Sequence, residues 1–284
     1  MRSAIVVGVW LGTVPLAACA ADAGDRAADA PSSVRRPLWE LGIGVAALQF
    51  PDYRGSDETG TYLLPLPYVV YRGQFLRADR EGARAVLVDA DRFEVELSVS
   101  ASVPTRSRSN AARNGMPDLP PSFEVGPKLN VALWRSADRQ AKLELRLPVR
   151  AVFTVERSPR SVGTTFSPNL SLDLVRNGWN IGLQTGPLYG DRRRHEHIYG
   201  VDPVFATAQR PAYRAGGGYA GWQALASTSR RFAGTWVGAF VRYDSLRGAT
   251  FAASPLVRRD HALTMGVGVA WVFASSSVLV ASDD

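Results

Sequence analysis

Leu263-Thr264-Met265-Gly266-Val267-Gly268-Val269-Ala270-Trp271-Val272-Phe273 is the stretch that decides how the chain is read. Its odd positions, Leu263, Met265, Val267, Val269, Trp271 and Phe273, are large and apolar, while Thr264, Gly266, Gly268, Ala270 and Val272 are mostly small. Side chains alternate across a strand, so this period of two sets a greasy face against a small, weakly polar one. In a soluble sandwich the second face would usually carry charge. Eleven residues, tilted, make about the length that crosses an outer membrane, and aromatics belong at its interfaces. A buried strand of a soluble sheet fits this segment equally well, so the rest of the chain must decide.

Working outward, the same period recurs. Leu38–Leu48 places Trp39, Leu41, Ile43, Val45 and Ala47 opposite Glu40, Gly42, Gly44 and Ala46. Tyr62–Tyr71 follows, and Pro65 and Pro67 are expected to bend or weaken it because proline cannot donate to a ladder. Shorter candidates are Gln74–Ala78 and Ala83–Val88. From Phe93 to Val103 the apolar set opposes Glu94, Glu96, Ser98, Ser100 and Ser102. Phe123–Leu133 carries Glu124, Lys128 and Asn130 on its polar side. Ala141–Ala151 carries Lys142, Glu144, Arg146 and Arg150. Phe166–Leu174, Trp179–Gln184, Arg214–Ser229 and Thr235–Asp244 complete the set. Connections alternate in length: long at 49–61, 104–121, 154–162, 190–213 and 246–261, with the turn at 79–82 on the same side. They are short at 72–73, 89–91, 135–139, 176–178 and 231–233. Long loops outside and tight turns in the periplasm are the asymmetry of a membrane barrel. The expectation is an all-β fold: a transmembrane antiparallel β-barrel of about twelve strands with periplasmic termini, occupying 38–273.

Bulk properties agree. The chain has 284 residues, is 46% hydrophobic and has a mean hydropathy near zero. That suits strands alternating between lipid and lumen and argues against a multi-span helical protein. The net charge of +7 is mostly arginine, with no nucleic-acid recognition module beside it. The N-terminus, Arg2 followed by an apolar run from Ala4 to Leu16 and small residues, reads as a signal peptide over 1–20. Leu16-Ala17-Ala18-Cys19 also reads as a lipobox; cleavage after Ala20 is preferred because a barrel needs no lipid anchor. Cys19 is the only cysteine, so no disulfide is expected. Residues 21–37, rich in Ala, Asp, Ser, Arg and Pro, read as a disordered periplasmic lead-in.

Several stretches resemble the MipA/OmpV family, the MltA-interacting proteins of Gram-negative outer membranes. They are Pro51-Asp52-Tyr53-Arg54-Gly55-Ser56, Leu64-Pro65-Leu66-Pro67-Tyr68, Tyr71-Arg72-Gly73, Gly115-Met116-Pro117-Asp118-Leu119, Glu124-Val125-Gly126-Pro127, Arg210-Pro211-Ala212-Tyr213, Gly216-Gly217-Gly218-Tyr219 and Ser254-Pro255-Leu256-Val257. Their order covers nearly all of the mature chain. The resemblance implies a non-enzymatic outer-membrane scaffold joining a murein lytic transglycosylase to a penicillin-binding synthase. None of the motifs is catalytic. Family members tend to end at the terminal aromatic read by the barrel-assembly machinery; here Trp271 and Phe273 are candidates for that signal, and a tail, 274–284, follows.

Other chemistry was weighed from the residues. His195-Glu196-His197 lies in a long loop without further clustered ligands, so neither a metal nor a cofactor is expected. His261 lacks a nearby serine nucleophile, which disfavours a hydrolase. Glu94, Glu96, Lys142, Glu144, Arg146 and Arg150, with Arg242 and Asp244, are expected to face the lumen. There they either pair in ladders or line a narrow pore for small solutes or antibiotics, the alternative function. Arg106, Arg108, Arg113, Arg192, Arg193, Arg194, Arg258 and Arg259 fall in the outer loops. Their guanidinium forks suit lipopolysaccharide phosphates.

Overall fold

A computed structural model of the chain describes residues 34–79, 82–102 and 104–282. The expected signal peptide and residues 21–33 of the lead-in lie outside the described residues. The strands are β1 (Val34–Pro37), β2 (Trp39–Pro51), β3 (Thr59–Arg72), β4 (Leu76–Asp79), β5 (Gly82–Asp89), β6 (Phe93–Ser102), β7 (Ser122–Arg135), β8 (Ala141–Thr154), β9 (Ser161–Phe166), β10 (Asn169–Arg176), β11 (Trp179–Gly190), β12 (Gly218–Arg231), β13 (Thr235–Ser245), β14 (His261–Ser275) and β15 (Leu279–Ser282). One helix, α1 (Arg192–Tyr199), lies between β11 and β12.

Strands β2 to β8 pair in sequence order, and β14 returns to pair with β2, which closes the sheet. Both β8 and β11 pair with β9 and with β10, so these are two halves of one barrel strand interrupted at Ser167-Pro168. Proline's missing N–H accounts for a break there. The result is a closed antiparallel barrel of twelve strands with the expected alternation of long outer loops and short periplasmic turns. No helix among the described residues is long and apolar enough to cross a membrane.

Register fixes the faces, because residues directly paired across antiparallel strands share a side. Val45 pairs with Val269 and Pro65, and Leu41 with Val69; these odd positions point outward, and Ile43, Val45, Val267 and Val269 are exposed there. An apolar outer band with aromatics at each end follows: Phe75, Phe93, Trp134, Phe232, Trp271 and Phe273 toward the periplasm, and Phe166, Tyr189, Trp222 and Tyr243 toward the outside. Arg230 lies between two of the periplasmic rings, 5.6 Å from the Trp179 centroid and 5.0 Å from that of Phe232.

The small face of the 263–273 stretch has a packing cause. Strand β13 lays Trp236 and Phe240 over it, and β2 adds Leu48. A methyl group added at Gly266 would meet Leu48 Cδ2 at 2.5 Å and Phe240 Cε1 at 2.6 Å, so both side chains hold these positions because the residue beneath them is glycine.

Three expectations change. β3 runs unbroken for 14 residues despite Pro65 and Pro67. The Arg72 N–H donates to Leu38 O, so even-numbered amides of β3 face β2 and odd-numbered ones face away. On that far side β3 meets β4 only at Tyr71 and Arg72, so the two prolines remove donors that would have had no strand to meet. Second, Val34–Pro37, expected at the disordered end of the lead-in, forms β1 against β15 in the tail. This ribbon prolongs the β14–β2 seam through Leu38 N–H to Val278 O and Ser276 N–H to Trp39 O, both 2.9 Å. Each strand supplies backbone partners the other would lack. Third, the loop holding His195 contains α1, whose first turn is capped by the Asp191 carboxylate accepting from the Arg194 N–H at 2.7 Å.

Candidate functional site

The inner wall has two unlike halves. From β4 round to β10 it is charged. Arg77 pairs with Asp89 at 2.9 Å and Glu94 at 2.7 Å, and Asn130 donates to Glu94 at 3.2 Å. Glu96, wholly buried, is met by Lys128 and by Arg84 at 3.3 Å. Glu144 sits between Lys142 and Arg146, and Arg146 also reaches Asp173 at 2.9 Å. Register explains the clusters, because Glu96 and Lys128 are directly paired, as are Asn130 and Arg146, and Lys142 and Asp173. Charges buried this deeply must be paired to be tolerated. Arg150 differs. Its Nε donates to Ser98 Oγ at 3.1 Å, its one hydrogen-bond partner among the described residues, and no carboxylate there lies within ion-pair distance.

The other half, on β2, β3, β13 and β14, is apolar. Phe50 stacks on Tyr62 at 4.7 Å, Tyr68 meets Trp236 at 5.8 Å, and Leu48, Leu66 and Phe240 cover the glycines of β14. Charge returns only at its ends. Glu40 accepts from Arg72 at 3.0 Å and Arg231 at 3.3 Å near the periplasm, and buried Asp244 pairs with Arg242 and Arg54, both at 3.0 Å, near the outside.

The outer ends of the strands carry a cap with a hydrophobic core of its own. Tyr53, Tyr199, Val201, Leu246, Phe251 and Leu256 are buried together, with the Tyr199 and Phe251 rings stacked at 3.7 Å. Four loops meet there, and the 51–56 motif is their junction. Asp52 accepts from Asn110 at 2.8 Å, the Tyr53 hydroxyl donates to Leu256 O at 2.8 Å, and Arg54 holds Asp244. The carbonyl of Gly55, whose φ of +96° favours glycine, accepts from the amides of Arg258 and Arg259. Burial pushes the Tyr53 hydroxyl well up and that of Tyr199 up to about 12, so both remain protonated donors. Of the motifs that carried the family resemblance, those at 51–56, 115–119, 210–213 and 254–257 therefore build the cap, while those at 64–68, 71–73 and 124–127 lie in or beside the strands β3 and β7.

The predicted outer arginines divide. Arg106, Arg108, Arg192, Arg193, Arg258 and Arg259 are exposed. Arg113 is not: it is 3% exposed and donates to Ser107 Oγ, Pro117 O and Ile198 O, which corrects its assignment as a lipopolysaccharide contact. Arg194 is half-buried against Glu124 at 3.4 Å. A cleft of about 790 Å³ beside α1 is lined by Arg160, Arg192, Arg193, Glu196 and His197 among others. Two further arginines are functional parts of the cap. Arg54 joins cap to wall, and Arg210 donates to the carbonyls of Ala112, Asn114 and Phe205; both stand inside the family motifs, which are their signal in the sequence.

The histidines are structural in geometry. His195 is buried, with Nδ1 2.7 Å from Gly216 O and its ring 4.7 Å from Phe251, and burial lowers its pKa. His197 is lowered to about 4 by burial and by Arg194, Arg113 and Arg160. His261 is exposed beside Asp260 at 2.9 Å. No group of three or more potential metal ligands exists among the described residues.

A closed twelve-stranded barrel with an apolar outer band and aromatic ends is an outer-membrane β-barrel protein. The family description "MltA-interacting protein MipA" matches residues 43–273, and the chain belongs to that family. Solved structures with a similar fold are outer-membrane proteins. They include a bacterial polysaccharide outer membrane secretin (10% identity, 83% of this chain and 99% of that one, TM-score 0.41). Outer membrane phospholipase A from Escherichia coli is similar over 84% of this chain and 91% of its own (12% identity, TM-score 0.32). The CymD monoaromatic hydrocarbon channel is similar over 84% and 89% (10% identity, TM-score 0.34). No curated protein matches the chain.

Proposed function

We propose that the chain is a non-enzymatic scaffold that holds murein-remodelling enzymes, a lytic transglycosylase and a penicillin-binding synthase, against the periplasmic side of the outer membrane. The observation that carries this is the β1–β15 ribbon. It hangs from the barrel seam on the periplasmic side, and neither of its outer edges has a strand partner among the described residues. Open edges accept an extended segment by strand addition. The family's description, an MltA-interacting protein, is consistent with such a partner. Pull-down from a periplasmic extract with the full chain, beside Leu279→Pro and Val280→Pro variants, tests it. Capture of a murein enzyme by the parent chain and its loss with either proline supports the reading; capture unaffected by both removes the ribbon from it.

A narrow pore for small solutes is the second reading, favoured by one observation, the guanidinium of Arg150 turned inward without a carboxylate partner. The exposed Arg106, Arg108, Arg192, Arg193, Arg258 and Arg259 are proposed to meet lipopolysaccharide phosphates, with Arg192 and Arg193 lining the cleft beside α1. Replacing all six by serine without loss of co-purifying lipopolysaccharide would remove that assignment. Trp271 and Phe273, exposed near the periplasmic end of β14, are proposed as the assembly signal, with Phe273 standing at a bulge between Val272 and Ala274.

A further inference from the structure

The barrel closes through few rungs between β3 and β6. The β4–β5 hairpin that should fill this sector is short: β4 has four residues and reaches β3 only at Tyr71 and Arg72, and β5 leaves β6 after Arg84 pairs with Ser98. Above those rungs, residues 59–70 of β3 and 99–102 of β6 have no strand partner on their β4–β5 side among the described residues. Exposure follows the same line. Along β6 the alternation ends at buried Ser98, and Val99, Ser100, Ala101 and Ser102 are all exposed, whichever face they occupy. Pro65 and Pro67 stand on the open edge of β3 with their donorless nitrogens toward the gap, so that edge is built to lack a neighbour.

The gap has a frame. The hairpin is its sill. Its lintel is the loop after β6 clasped to the loop after β2: the Thr105 hydroxyl donates to Asp52 O, Asn110 donates to Asp52 and to Ser56 Oγ at 3.0 Å, and the Ala111 N–H donates to Glu58 at 2.6 Å. Four open residues on the β6 side correspond to roughly 13 Å along the strand. The two jambs differ. Inside β3 stand Tyr62, Leu64, Leu66 and Tyr68, continuous with the apolar half of the wall. Inside β6 stand Ser98 and Ser100. Arg150 reaches over Gly126 to Ser98, on the last rung of the sill, with its other guanidinium donors uncommitted.

We propose that this gap is a lateral portal between the lumen and the outer leaflet, used by single-chain amphiphiles with an anionic head. The apolar body lies along Leu64, Leu66 and Tyr68, and the head is received by Arg150, whose fork matches a carboxylate or phosphate. The cap over the outer mouth makes the wall the open side of the barrel's outer half. The portal is independent of the scaffold reading.

The test uses the full chain refolded in phosphatidylcholine vesicles and a long-chain fatty acid carrying a diazirine. After illumination, labelled residues are mapped by mass spectrometry. Label is expected on inward Leu64, Leu66 and Tyr68, with about tenfold less in Arg150→Gln, about 1.4 kcal/mol of one charge-assisted contact, and with the methyl ester of the probe. Ser100→Trp, which places bulk in the gap at an exposed position, is expected to lower inward labelling similarly. Heat-modifiable migration on gels confirms that each variant folds. Label confined to outward residues such as Leu63 and Ile43 would overturn the portal, as would inward label unchanged in both variants.

Discussion

The two halves of the inner wall solve the same problem by opposite means. Between β4 and β10 the lumen is lined by charges held in ion pairs, among them Glu96 and Lys128, which register places directly opposite each other. Between β13 and β3 it is lined by aromatic and aliphatic side chains, some of which lie over Gly266 and Gly268. The charged half is sensitive to deletion, since a lost partner strands a buried charge. The apolar half is sensitive to addition at Gly266, where Leu48 and Phe240 already stand within 2.6 Å of the place an added methyl would take. Arg150 belongs to neither regime, and it stands beside the break in the wall.

The largest effect should come from Glu96→Gln. It leaves Lys128 and Arg84 facing a neutral group in a site with no solvent, at a cost of about 3–5 kcal/mol for a broken buried pair. Urea unfolding in lipid vesicles, followed by tryptophan fluorescence, measures it. Adding Lys128→Met to that variant should return part of the loss; no return would mean that the pairing is not what braces this half. Gly266→Val should cost about 1–3 kcal/mol by forcing Leu48 and Phe240 off their positions. An unchanged midpoint would show the apolar half to be loosely packed.

The cap supplies a pH-dependent contrast with the wall. His197 has its folded pKa depressed to about 4 against an ordinary 6.5, so the unfolded cap binds more protons between those values. Its contribution is fully present above about pH 6.5 and is lost as pH falls toward 4, and buried His195 shifts in the same direction. Hydrogen exchange across 192–199 should therefore quicken from pH 7 to pH 4.5 beyond its intrinsic pH dependence, and His197→Gln should flatten that change. The smallest effect should be Arg150→Ala on stability, about 1 kcal/mol or less for a single hydrogen bond to Ser98, whereas Arg146→Ala loses two carboxylates and should cost several times more. Equal losses would place Arg150 within the bracing network.

Much of the barrel was legible because its physics is periodic. The alternation of Phe93–Val103 and Ala141–Ala151 and the alternating loop lengths are properties of the chain in order. What was not legible depends on register. The small face of 263–273 cannot reveal that Phe240 and Trp236 cover it until β13 and β14 are aligned. The two prolines suggested a weakened strand, because nothing in the sequence says which edge of β3 is empty. The cap was harder still. Its loops have no period, α1 has only eight residues, and Arg113 looks like any other loop arginine until Ser107, Pro117 and Ile198 close around it. Asp191 ahead of that helix was a signal for α1.

The scaffold reading and the pore reading part over one property, whether the capped, internally braced barrel carries ions. Conductance of the refolded full chain in a planar bilayer measures it directly, with Arg150→Ala beside the parent. A correctly folded barrel that stays silent in both forms is the expected result. Discrete openings whose size changes with Arg150→Ala would contradict it, and would put a solute path where the cap and the paired charges are taken to close one.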